Sequence, residues 1–520
     1  MLIIYMNKSN KNNVTLARQT SETTIKTNTT EIRPTPKNSV TTGRINVENI
    51  GQIILVQTGN FDRDNISTYA IKNGDIYAWG SNMFGQLWDD SNIGKEIPFK
   101  IETMKITPVF SKVSHLSNIH LIDSTDYGGD INLLTTDGDL YHWCSYTGYN
   151  SEDDKLYASK PTKVEGLPKI KELCGNYAIT YNGTVYSIVA MDRSKESWSN
   201  IDIFNAIHTT SKIDGLPPIK KVVTDFVGQV VFFIADNGDV YSWNTKNLRY
   251  GSTAISQYIE DSVSPVKING LSDIVDIATD SYADIYALSK NGKVYAWGSN
   301  NNKQLGNYEF QESNVPVVID YINDVESIYC QRSYTSEPGW LIMLCNDGTV
   351  YAPAYLNENN AKGYKQIAGL ADIKDIALEQ HMNIYALNSK GEVFALGDNH
   401  YGQLGNGTTK ISLIPAKVIG LENIVSICTQ GESVIAVKGN GDIFAWGNNS
   451  CGQLGISKYP SDYATYQLDI IDPGISSPST GYIEDPYSNN SSDNISIAYE
   501  TRPIKIEGLN LSETSTTLPK

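Results

Sequence analysis

Apolar residues along the chain fall in short runs without a helical period, and the runs come in pairs. DIYALSK at 284–290 is followed by KVYAWG at 293–298, NIYALNS at 383–389 by EVFALG at 392–397, and VVFFIAD at 230–236 by DVYSW at 239–243. The joint between the arms holds a glycine, and the same joint occurs eight times, at Gly74, Gly138, Gly183, Gly238, Gly292, Gly348, Gly391 and Gly441. Two places after each glycine stands an aliphatic residue (Ile76, Leu140, Val185, Val240, Val294, Val350, Val393, Ile443). Three places after it stands an aromatic one (Tyr77, Tyr141, Tyr186, Tyr241, Tyr295, Tyr351, Phe394, Phe444). The residue before it is Asn or Asp in all units but that of Lys390. Branched and aromatic arms around Asn-Gly or Asp-Gly predict a β-hairpin, and a two-residue type I′ turn, with positive φ at both central residues, is the expected joint.

Two further strand signals precede each hairpin. One is a run such as DIVDIAT (273–279), DVESIYC (324–330), DIKDIAL (372–378) or NIVSICT (423–429). The other ends in Gly-Leu, as in PTKVEGL (161–167), PVKINGL (265–271), YKQIAGL (364–370) and PAKVIGL (415–421). Four short antiparallel strands in each unit, repeated at a fixed phase, predict an all-β fold: a β-propeller of seven or eight four-stranded blades, eight being favoured by the eight hairpins. The chain ends in RPIKIEGL (502–509) and starts its first unit with NIGQIILVQTG (49–59). This predicts a ring closed by N- and C-terminal strands sharing one blade. Residues 1–45 read as a basic, Ser/Thr/Asn-rich disordered leader and 46–520 as the propeller.

The fullest unit, GEVFALGDNHYGQLGNGT (391–408), with GQLG again at 452–455, KQLG at 303–306 and GQLW at 85–88, resembles the regulator of chromosome condensation repeat family. The resemblance covers roughly 46–520 and implies a propeller that engages protein partners through one face. A Gly-x-x-His is frequent in that family in the loop entering the hairpin. Here the histidine-equivalent positions are Asp130, Asp284, Trp340, Asn383 and Ser433. The family's nucleotide-exchange activity on a small GTPase therefore stands as an alternative function, because a shared fold does not transfer a site.

Charge and composition narrow the rest. Seven Lys or Arg against two Glu give residues 1–44 a charge of +5, so a total of −17 leaves −22 on the remainder. Such a body repels phosphate backbones, and nucleic acid is not expected as its partner. Six cysteines without a C-x-x-C pair and six histidines without a metal-ligand spacing predict no disulfide, no metal and no cofactor. No phosphate loop, dinucleotide fingerprint or nucleophile elbow occurs, so a non-enzymatic fold is expected. No apolar run reaches the length of a membrane span, and the apolar start MLIIYM precedes the basic residues, the reverse of a secretory signal. The default is a cytoplasmic monomer, with export by a signal-less route as the alternative.

One segment breaks the repeat: 456–500, a long insertion carrying Tyr459, Tyr463, Tyr466, Tyr482, Tyr487 and Tyr499 among Asp, Glu, Ser and Pro. Tyrosine presents a large contact area with a polar tip at low entropic cost, which suits a surface that grips another protein. The candidate partner-binding residues are thus Tyr459, Tyr463, Tyr466, Tyr482 and Tyr487, with Asp130, Asp284 and Trp340 in the loops entering the hairpins. The reading is a protein-binding propeller scaffold. The alternatives are a guanine nucleotide exchange factor and, since a bacterial branch carries similar repeats, a protein inhibitor of an enzyme such as a β-lactamase.

Overall fold

The computed structural model describes residues 43–47, 51–57, 66–81, 87, 97–98, 106–112, 116–124, 130–144, 155–156, 161–188, 210–225, 230–244, 264–280, 284–301, 303–306, 311–330, 341–354, 363–379, 383–449, 452–456 and 499–511. All fall in the compact unit Asn38–Lys520. They build eight successive four-stranded antiparallel sheets standing in a ring, numbered here as blades 1 to 8 in chain order. Blade 5 shows the plan: an inner strand Ile274–Thr279, a second strand Ile285–Ser289, a third Val294–Ser299 and an outer strand Glu312–Val318. The inner strands of blades 2, 3, 4, 6 and 7 are Ile119–Ser124, Ile170–Cys174, Ile219–Thr224, Val325–Cys330 and Ile373–Glu379.

Burial explains the two kinds of apolar run. The second strand is covered on both faces by neighbouring blades, so every residue of Val230–Ala235, Ile285–Ser289 and Asn383–Asn388 is buried and the run is nearly continuous. The third strand alternates, as in Val240–Asn244, and the outer strand is mostly exposed or half-exposed, as in Glu312–Val318. On the third strand the aliphatic and aromatic positions face opposite ways: Val294 packs into the cluster shared with blade 6, and Tyr295 against the cluster shared with blade 4.

Seven of the eight hairpins depart from the expected turn. Only Asn73-Gly74 has positive φ at both positions (54° and 81°), with Lys72 paired to Asp75. Elsewhere the residue before the glycine keeps negative φ. In blade 4 the Gly238 N–H donates to Ala235 O at 2.9 Å and the Ala235 N–H donates to Asp239 O at 2.9 Å. That is a type I turn closed by a left-handed glycine, the three-residue hairpin with a bulge. The Asn or Asp is retained for another reason: its side chain accepts the N–H beyond the glycine, as Asn237 does from Asp239 (3.0 Å) and Asp347 from Thr349 (2.9 Å). The glycine also sits against the next blade. A Cβ on Gly238 would lie 2.6 Å from Asp273 Cα, and the Gly238 carbonyl accepts the Ile274 N–H that opens blade 5.

Ring closure also departs from expectation. The Gly-Leu strands are the outer strands of the preceding blades, which shifts the phase of every unit by one strand. Tyr499–Asn510 is accordingly the outer strand of blade 8, paired with Asp442–Asn448, and among the described residues no blade mixes strands from the two ends of the chain. Blade 1 is complete in itself, with Gly51–Gln57, Ile66–Lys72, Asp75–Ser81 and Ile106–Lys112. Closure rests instead on packing. Eight apolar clusters fill eight interfaces, and one of them joins Ile53, Leu55, Ile66 and Trp79 of blade 1 to Ile435, Ile443, Leu454 and Ile506 of blade 8. A fifth strand, Gly43–Val47, pairs antiparallel with the inner strand of blade 1, from Gly43↔Leu55 to Val47↔Gly51, so the boundary expected at 45/46 falls inside a strand.

Candidate partner-binding face

The two ends of the blades differ in kind. At one, the turn end, the joints between second and third strands are two to four residues long, and all seven connections from an outer strand to the next inner strand are six residues long, from 113–118 to 418–423. At the other, the loop end, connections between first and second strands run from two residues (175–176) to ten (331–340). Those between third and outer strands run from ten (354–363) to fifty (449–498). Antiparallel order sends all of these to the same side. Two of them meet: Ile97–Pro98, between the third and outer strands of blade 1, pairs with Lys155–Leu156 of the corresponding connection in blade 2.

Buried carboxylates brace the loop end from beneath. Asp225 closes the inner strand of blade 4 and accepts the Val230 N–H that opens the second strand, at 3.0 Å. Asp280 does the same for Asp284 in blade 5 (2.7 Å), and Glu379 accepts from Asn383 Nδ2 in blade 7 (3.2 Å). In blade 2 the brace reaches across: Asp123 accepts the Gly175 N–H at 2.7 Å, while Asn132 Nδ2 donates to the Gly175 carbonyl at 2.8 Å. All these acids are buried. A buried carboxylate that accepts backbone N–H groups fixes the strand-to-loop departure.

The GQLG turns brace the same end from outside. Asn399 Oδ1 accepts the Leu404 N–H (2.9 Å), and Asn300 and Asn449 repeat this with Leu305 and Leu454 (3.0 Å each), so the leucines are fully buried. The Gln403 carbonyl then accepts Trp446 Nε1 of the next blade at 2.8 Å, and the Gln453 carbonyl accepts Trp79 Nε1 at 2.9 Å across the closing interface. The last glycine lies flat against that indole: a Cβ on Gly405 would be 2.8 Å from Trp446 Nε1. In blade 5 the Gln304 carbonyl accepts the Tyr364 hydroxyl of the next blade at 2.7 Å instead, since Pro353 stands there at the Trp position.

Asp284, expected to meet a partner, is 0% exposed. It accepts Gln304 Nε2 at 3.0 Å, and burial, with the Asp280 carboxylate beside it, holds its carboxyl well above the usual carboxylate range. It supports the face from below. Asn383 and Ser433, at the matching positions, are buried too, and Ser433 Oγ donates to the Asn448 carbonyl (2.9 Å). Asp130 opens a strand of blade 2, paired with Cys144, while Trp340, Tyr459, Tyr463, Tyr466, Tyr482 and Tyr487 lie outside the described residues. Tyr499 opens the outer strand of blade 8, opposite Asn448 and partly buried. On the surface, His400 pairs through Nδ1 with Asp398, which raises the imidazole pKa against the lowering by burial. The bracing acids Asp123, Asp225 and Glu379 escaped the sequence reading. Their signal is an acid at the end of the first apolar run, one that composition alone disguises as a solvated loop residue.

The turn end spends its charges internally. Asp139 is paired with Lys169 and Lys163, Asp239 with Lys267, Glu392 with Lys417 and Asp442 with Lys505, and each of these carboxyls is held below its ordinary pKa by the lysine. Among the described residues no group of three His, Cys, Asp or Glu is placed to hold a metal, and no helix is long and apolar enough to cross a membrane.

Comparison with known proteins gives a consistent picture. Residues 291–335 and 390–437 match the family described as regulator of chromosome condensation (RCC1) repeat. The human E3 ubiquitin-protein ligase HERC2 is 27% identical over 391 residues, covering 71% of this chain and 8% of HERC2. The Ultraviolet-B receptor UVR8 of Arabidopsis thaliana is 23% identical over 270 residues, covering 48% of this chain and 54% of the receptor. The match thus spans less than two thirds of either relative. Among solved structures, Prp20p of Saccharomyces cerevisiae, studied for its binding to Gsp1p and histones, aligns with a TM-score of 0.45 at 14% identity, over 84% of this chain and 87% of that one.

Proposed function

Because the chain is an RCC1-repeat β-propeller, we propose that it is a non-catalytic scaffold that grips another protein with its loop end. The observation that carries this reading is the asymmetry between the two ends: seven connections of identical length on one side, and connections of two to fifty residues on the other. Loops free to vary on a rigid support are where binding residues concentrate. The buried carboxylates and GQLG turns supply the support, and the Tyr-rich insertion, which leaves blade 8 at this end, supplies the largest candidate contact element. The ligase activity named for HERC2 is not carried over, since the match spans 8% of that protein.

The test places a photo-crosslinking residue at Tyr401 or Tyr499 on the loop end and at Lys267 or Lys417 on the turn end. Crosslinks to a partner protein are expected from the first pair only, and deletion of 463–498 is expected to weaken capture without loss of the fold. Crosslinks from the turn end alone would overturn the reading. Release of labelled nucleotide from a panel of small GTPases separates a scaffold from an exchange factor, and a scaffold accelerates none of them.

A further inference from the structure

Seven of the eight interfaces in the ring are crossed by the chain, each by a connection of six residues. The eighth, between blades 8 and 1, is crossed by none. The strand Gly43–Val47 lies there. On one side its backbone pairs with the inner strand of blade 1 over five residue pairs, Gly43↔Leu55, Arg44↔Ile54, Ile45↔Ile53, Asn46↔Gln52 and Val47↔Gly51. On the other, its Cα atoms come within 8 Å of those of the inner strand of blade 8, Ile424–Gln430. No other blade carries a fifth strand among the described residues.

We propose that the axial edge of Gly51–Gln57 is an acceptor site for an extended peptide strand, filled in cis by Gly43–Val47, and that the bound strand locks the closing interface. An inner strand of a blade has a free edge toward the ring axis, and a free edge pairs readily with an added strand. A strand inserted there is recognised mainly through its main chain, so the site takes an extended segment of the same length and antiparallel sense. Its placement beside blade 8 gives it what a strand elsewhere on the axis lacks: it touches both partners of the one interface that no connection of the chain crosses. The strand thus does the work of a shared blade without belonging to the outer strand of blade 8.

The experiment uses the full chain with a protease site built into the connection 48–50. After cleavage the N-terminal fragment is expected to stay bound. Removing it by size-exclusion at low concentration should raise amide exchange of 51–57 and 424–430 by about tenfold or more, while 274–279 and 325–330 in blades 5 and 6 stay unchanged. A synthetic peptide of residues 41–49 should restore protection. Exchange that is unchanged after the fragment has gone, or that rises equally in every blade, overturns the proposal. Two uncut variants guard against a nicked chain that fails to fold. N–H groups alternate sides along a strand, so one of Ile45→Pro and Asn46→Pro must remove a ladder hydrogen bond and raise exchange at 51–57. Silence of both overturns the proposal, and deletion of 1–37 is expected to change nothing.

Discussion

Substituting Gly405 by alanine tests how neighbouring blades are fitted together. Gly405 has φ +62°, and its added Cβ would lie 2.8 Å from both Trp446 Nε1 and Val418 Cγ1. Gly420 has φ +75° and nothing within 4 Å of its added Cβ, so Gly420→Ala reports the left-handed backbone penalty alone, about 1–2 kcal/mol. Gly405→Ala bears the same penalty plus overpacking, worth about 1–3 kcal/mol. The indole cannot retreat freely, because its N–H is held at 2.8 Å by the Gln403 carbonyl, and losing that bond costs about 1 kcal/mol. Gly405→Ala should therefore destabilise by about 2–5 kcal/mol, at least about 1 kcal/mol more than Gly420→Ala. Guanidinium unfolding followed by tryptophan fluorescence and far-UV circular dichroism measures both. In a Trp446→Ala background the excess should shrink, since the indole is gone while the contact with Val418 Cγ1 remains. A Gly405→Ala variant no worse than Gly420→Ala, or an excess undiminished by removal of the indole, refutes the account of GQLG as a socket for the next blade.

Three other outcomes follow from the same geometry. Asp284, whose carboxyl is held well above its ordinary range by burial and Asp280, contributes stability that is complete below the unfolded carboxylate range and is lost as pH rises through its folded value. Asp284→Asn should flatten the fall of the thermal midpoint as pH rises above the ordinary carboxylate range, and an unchanged slope would count against a protonated Asp284. Asp225→Ala removes the acceptor of the Val230 N–H and should cost about 1–3 kcal/mol, with faster amide exchange at Val230 than at Phe233; equal exchange at both would remove the bracing role. Trp79→Ala empties the closing interface, costs about 3–5 kcal/mol and should expose the inner strands of blades 1 and 8 to exchange before those of blades 4 and 5; the reverse order would show that closure lies elsewhere.

The sequence disclosed the scaffold through residues whose roles are local. Asn237-Gly238 and its seven counterparts announce a hairpin because the turn and its flanking arms are contiguous in the chain. The turn type was misjudged because Asn-Gly satisfies two geometries: a type I′ turn, and a type I turn in which the Asn side chain reaches the N–H beyond the glycine. The contact with the next blade is the same in both, since Ile119 donates to the Gly74 carbonyl as Ile274 does to that of Gly238; what differs is the length of the joint, two residues at Asn73-Gly74 and four at 236–239. The phase of the Gly-Leu strands was likewise undetermined, since pairing of 502–509 with 442–448 or with 51–57 leaves the same apolar pattern in the chain. Asp284 shows the limit for the site. An acid before an apolar run reads as a solvated binding residue, and only the carboxylate of Asp280 and the amide of Gln304, folded over it, reveal it as a buried support.

The seven equal outer-to-inner connections carry a consequence for how such a molecule changes over time. Seven of the eight hairpin glycines are fastened to the sheet that follows, so the turn end behaves as a gauge that spaces the blades. One residue added there would have to be absorbed by the whole circumference. Length added at the opposite rim is felt by nobody but the loop that bears it. A fifty-residue excursion can grow from blade 8 while the gauge stays untouched, and new surfaces can be tried on this chassis one loop at a time.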